Sequence, residues 1–161
     1  MKDKRVYTSS SKFKWALVIF SFMGQVAWVV ENMYFNVFIY KMFNASATDI
    51  SFMVSCSAIT AAVTTLVIGT LSDRIKKRKL LISLGYIFWG LSIASFVFFR
   101  VDILHKFTGS VASAMSLGIS LTIFMDCVMT FFGSSANDAA FNAWLTDCGT
   151  QENRGKIEGI N

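Results

Sequence analysis

Three carboxyl side chains stand inside long apolar runs of this 161-residue chain: Glu31, Asp126 and Asp138. An ionisable group at membrane depth is costly, and by default it marks a functional site. A polar stripe runs beside the first of them. At 100° per helical residue, Ser21, Gln25, Asn32 and Asn36 fall within an arc of about 60°, with Trp28 at its edge. Such amides and hydroxyls can line a water-filled cavity and hydrogen-bond a polar solute, with the Trp28 ring as a stacking platform. They can also bond packed helices to one another. Glu31 lies roughly 100° off the stripe, toward a neighbouring helix or the headgroups.

Asp126 shares a helix face with Asn137 about three turns further on, provided the helix keeps its phase, and Asp138 points about 100° away. Gly133-Ser134-Ser135 precedes both later residues and is a kink-prone cluster. A carboxylate beside a helix break sits near unsatisfied backbone groups, where a proton and Na⁺ can compete for it. The three acids are therefore candidate coupling sites, while Gln25, Trp28, Asn32, Asn36 and Asn137 are candidate solute contacts. An intramembrane aspartyl protease would need two carboxyls sharing a proton from different helices. Asp126 and Asp138 stand on one helix, about 18 Å apart along its axis. Cys56, Cys127 and Cys148 lack metal-ligand spacing, and the single histidine, His105, has no evident ligand partner. The expectation is a non-enzyme with no cofactor beyond a coupling Na⁺ or H⁺.

The elements that must position these groups follow from composition. Apolar residues make up 54% of the chain and charged residues only 16%, against about 25% charged in an average soluble domain. Apolar runs at 15–40, 50–71, 80–99 and 110–145 each reach the roughly 20 residues a membrane helix needs. The expected fold is therefore an all-α integral membrane protein in contact with the lipid bilayer. The last run corresponds to about 54 Å of helix against about 30 Å of hydrocarbon, so a bend is expected, with 136–145 facing protein. Residues 41–49 and 100–109 read as loops, with Thr48 or Asp49 capping the second helix.

Charge orients the spans. Lys2, Lys4, Arg5, Lys12 and Lys14 precede the first run, Arg74, Lys76, Lys77, Arg78 and Lys79 lie between the second and third, and Arg154 and Lys156 follow the fourth. The opposite side carries Lys41, Arg100 and Lys106. This positive-inside bias places the N-terminus, the central loop and residues 147–161 in the cytoplasm of a cell-membrane protein. A nucleic-acid role for Lys76-Lys77-Arg78-Lys79 does not suit flanks of spanning length. The first run is also too long for a signal peptide, whose apolar core is about 7–15 residues.

Gly69-x-Leu71-Ser72-Asp73-Arg74, followed by Lys77-Arg78, resembles the loop between helices two and three of the major facilitator superfamily, with Lys76 where that signature has glycine. Gly133 through Asp147, then Arg154-Gly155-Lys156 and Gly159, is similar to the same family's fourth helix and its exit into the fifth. Met129 stands where many proton-coupled drug antiporters of the family carry arginine. Asp138-Ala139-Ala140-Phe141 looks like the fourth-helix segment of the sugar–cation (glycoside-pentoside-hexuronide) symporter branch. That branch also carries cation-binding aspartates on its second helix, where this chain has Ala61 and Thr65.

The resemblance implies a twelve-helix transporter with a midplane cavity between two halves that open alternately. This chain would supply the first four helices and the start of the fifth, as a fragment whose remaining helices are its partners. It implies cation-coupled movement of a small polar solute, a sugar in the branch it resembles. It also implies that Gly69, Asp73, Arg74, Lys77 and Arg78 form a cytoplasmic gate, with Gly69 admitting a neighbouring helix and Asp147, Arg154 and Gly155 in the next loop. Two other readings are a four-span small multidrug transporter exchanging protons at Glu31 and a non-transporting membrane scaffold.

Overall fold

In lipid each backbone N–H and C=O must be bonded within its own segment, so apolar runs of this length become helices. A computed structural model of the chain describes residues 11–75, 77–148, 155 and 159. The basic residues of 1–10, together with Lys76, Arg154 and Lys156, lie outside the described residues. Four long helices are each long and apolar enough to cross a membrane. They are α1 (Ser11–Phe43), α2 (Ala47–Ile75), α3 (Arg78–Ser95, extended by a 3₁₀ turn at Phe96–Phe98) and α5 (Val111–Gly133). Helix α5 continues through a π-helical segment, Ser134–Phe141, into α6 (Asn142–Cys148). Leu66 is 73% exposed and Phe22 65% exposed, which a lipid surround explains and water would not.

Two segments expected as loops are largely helical. Residues 101–108 form α4 (Val101–Thr108), which tucks Leu104 against Ile39, Phe43 and Met53 while Asp102, Lys106 and Phe107 face outward. Gly109 ends it at φ 67°, the left-handed conformation glycine adopts without steric cost, and its N–H reaches the His105 carbonyl at 2.9 Å. Residues 44–46 alone separate α1 from α2. The cap of α2 is Ser46 rather than Thr48 or Asp49. The Ser46 N–H and hydroxyl donate to Asp49 Oδ2 at 2.9 and 2.7 Å, and the Asp49 N–H donates back to Ser46 Oγ at 3.2 Å. This is a capping box, with the acid in the third position.

Apolar clusters divide the bundle into layers. Phe13, Leu17, Phe141 and Leu145 form one, Trp89, Phe96 and Met129 a second, and Ile39, Phe43, Met53, Leu104 and Ala114 a third. Lipid tails offer no hydrophobic drive for helices to associate, so close packing through small residues does that work. A Cβ on Gly85 of α3 would stand 2.7 Å from Ala136 Cβ, and one on Gly133 would stand 3.0 Å from the Trp89 ring. The π segment is thus wedged against α3 with almost no clearance.

Candidate functional site

A cavity of about 150 Å³ lies between α1, α2 and α5. Helix α1 contributes Trp28, Glu31, Asn32 and Asn36, α2 contributes Met53, Ser57 and Ala61, and α5 contributes Asp126 and Thr130. Glu31 and Asp126 are both buried. The Ser57 hydroxyl donates to Asp126 Oδ2, joining α2 to α5 at the cavity wall. Trp89 Nε1 of α3 donates to Glu31 Oε2 at 3.2 Å. The Asn32 and Asn36 amides donate to the carbonyls of Trp28 and Asn32, both at 2.8 Å, which fixes each amide against its own helix.

The space has room for about five waters at about 30 Å³ each. Two acids facing one such space at low dielectric repel unless a proton or cation stands between them. With hydroxyl, amide and indole groups on the same walls, the cavity can hold a small cation together with part of a polar solute.

A second polar cluster lies further along the fourth span. The Tyr86 hydroxyl of α3 donates to Asn137 Oδ1 at 3.0 Å, and Asn137 Nδ2 donates to Asp138 Oδ1 at 3.2 Å. Asn142 Nδ2 donates to the Asp138 carbonyl at 2.9 Å. Gly24 of α1 faces Asn137 so closely that a Cβ there would stand 2.4 Å from its Oδ1.

At the end of the bundle where α2 meets α3, Arg78 ties two segments together. Its Nη2 donates to Asp73 Oδ1 at 2.8 Å and its Nε forms an ion pair with Asp147 Oδ2 at 2.9 Å. The α2–α3 connection is thereby pinned to α6. The chain matches the Major Facilitator Superfamily over residues 10–161. It belongs to that superfamily. No curated protein and no solved structure matches it. The chain is therefore a multi-pass membrane protein of a transporter family, with the spans of this fold's N-terminal part.

Within this superfamily member, the structure redistributes several of the residues singled out from sequence. Trp28, Asn32 and Asn36 do line the cavity, but Gln25 is exposed and does not. Glu31, expected off the stripe, lines it too: the cavity wall spans more of α1 than a 60° arc. Asn137 and Asp138 are absent from the walls that hold Asp126. Asn137 stands eleven residues beyond Asp126, about 16 Å along the axis, which is more than a space of this size spans, and the π segment between them turns by less per residue.

Gly69 also departs from expectation, because no described residue lies within 4 Å of where its Cβ would stand. The close approaches fall instead at Gly24, Gly85, Gly118 and Gly133. Arg74 and Lys77 are exposed, whereas Arg78 makes the connection. Gly155 is exposed, with its carbonyl accepting from the Gly159 N–H at 3.0 Å.

Ser57, Tyr86 and Trp89 were not singled out from sequence. Ser57 follows Met53 by four residues and precedes Ala61 by four, so an inward helical stripe was there to find. The pairing of Trp89 with Glu31 joins two helices and has no local signal.

Proposed function

We propose that the chain forms part of a secondary active transporter in the cell membrane, with its N-terminus cytoplasmic, moving a small polar solute of the sugar class by cation-coupled alternating access. The observation that carries this reading is the cavity in which Glu31, Asp126 and Ser57 face Trp28, Asn32 and Asn36. Ala61, one of the two positions where the symporter branch has its second-helix aspartates, lines the same space. Asp126 and Glu31 supply the carboxylates that this position lacks, and they hold the coupling Na⁺ or H⁺. The amides and the indole face bind solute hydroxyls and the apolar side of a sugar ring. Asp138, held by Asn137, is a further coupling candidate on the same span. The Asp73–Arg78–Asp147 connection closes the cytoplasmic side while the cavity is loaded from the other.

A ligand that binds only the folded state at 100 times its Kd stabilises it by about 2.7 kcal/mol. Thermal unfolding of the purified protein is followed in NaCl or choline chloride, with and without a panel of mono- and disaccharides. Stabilisation by Na⁺ or acid that depends on Asp126 and Glu31, and that a sugar increases, supports the reading. The same ion and sugar response in Asp126→Asn and Glu31→Gln as in wild type removes the cavity from the mechanism.

A further inference from the structure

We infer that Trp89 is a positioning residue of the cavity, holding the Glu31 carboxylate in place through its indole N–H. This rests on the cavity reading above and names a residue that touches neither cation nor solute: Trp89 is not among the lining residues. The case is geometric. Glu31 and Trp89 are both buried, on different helices, and Nε1–H donates to Oε2 at 3.2 Å. Indole is a donor only, with a single N–H, so this bond occupies all of its polar capacity.

The seat of the ring is built for that one pose. Gly133 leaves room for it, since a Cβ there would stand 3.0 Å from Cε2 and 3.2 Å from Nε1. Tyr86 also packs on the ring, centroids 5.7 Å apart, while its own hydroxyl is committed to Asn137. Met129 and Phe96 complete the packing. A long, flexible glutamate whose carboxylate shares a cavity with Asp126 has reason to swing away from it. The indole donor opposes that swing by fixing one Glu31 oxygen.

The test removes the N–H and keeps the ring. Position 89 is replaced by benzothienylalanine, a tryptophan isostere with sulfur in place of N–H, and separately by Trp89→Phe. The full chain in lipid nanodiscs is treated with a hydrophobic carbodiimide at fixed pH. Modification of Glu31 is located by peptide mass spectrometry, with Glu31→Gln as the blank and NaCl or choline chloride in the medium. A carboxyl released from a charged-group hydrogen bond is expected to react roughly tenfold faster, or more. That acceleration in the isostere upholds the inference, and an unchanged Glu31 rate there overturns it even if Trp89→Phe misfolds. Protection by Na⁺ is a separate readout: its absence in wild type counts against Na⁺ at the cavity and leaves the Trp89 result standing.

Discussion

Arg78→Gln removes two ion pairs, one to Asp73 within the α2–α3 connection and one to Asp147 that pins this connection to α6, and the size of the effect follows from exposure. The Arg78 side chain is only 15% exposed, but Asp73 is 67% and Asp147 58% exposed, so water screens both acids. Pairs of that kind contribute about 0.2–1 kcal/mol each. Their joint loss therefore amounts to about 0.5–2 kcal/mol, a factor of about 2–30 in the opening equilibrium. Amide hydrogen exchange reads that equilibrium directly in peptides covering 78–82 and 142–148, while peptides from the middle of α2 serve as the folding control.

Arg78→Lys should fall between wild type and Arg78→Gln, because an ammonium is a point donor and cannot fix two acids in a planar fork. Asp147→Asn should show nearly the full effect in α6 but only about half of it at 78–82, where the Asp73 pair remains. Unchanged exchange in Arg78→Gln would refute the reasoning. So would an Arg78→Gln effect of equal size in wild-type and Asp147→Asn backgrounds, since the two residues would then be uncoupled.

Gly85→Ala places a methyl 2.7 Å from Ala136 Cβ and 3.3 Å from its Cα, so the backbone must shift. Overpacking of this kind costs about 1–3 kcal/mol, and the thermal midpoint should fall. Gly90→Ala, in the same helix with no described residue within 4 Å, should instead raise it, through the roughly 0.5–1 kcal/mol that alanine gains over glycine in a helix. Ser46→Ala removes the capping box and should cost about 1 kcal/mol, seen as faster exchange in the first turn of α2. Tyr86→Phe deletes the 3.0 Å bond to Asn137 and should destabilise by about 0.5–1.5 kcal/mol in chemical denaturation.

What was legible in the sequence was whatever depends on runs and periods. Four apolar stretches became four spans, and the polar stripe on α1 put Trp28, Asn32 and Asn36 on one wall. Helix α4 was not legible because eight residues fall far below a span, and Val101, Ile103, Leu104 and Phe107 are interspersed with polar residues over too short a stretch to announce a helix. The Ser46 cap was missed because Thr48 and Asp49 offer equally good cap chemistry two and three residues later.

Asn137 joins Tyr86 and Asp138 rather than the cavity because it stands about 16 Å further along the span. Gly133-Ser134-Ser135 signalled an irregularity, but residue types do not say whether a helix kinks or widens to π geometry, and only widening rotates the residues that follow. Glu31 and Trp89 stand 58 positions apart, and neither has a local pattern that announces the other.

Gradient-driven uptake is the most direct measurement of the central claim that the cavity acids couple a cation to solute movement. Proteoliposomes carrying the protein are given an inward Na⁺ or proton gradient, and accumulation of radiolabelled sugars is followed in wild type and Asp126→Asn. Accumulation that needs the gradient and is lost in Asp126→Asn, with the variant still in the membrane, is the expected result. Equal accumulation in the variant, or accumulation indifferent to both gradients, would contradict it.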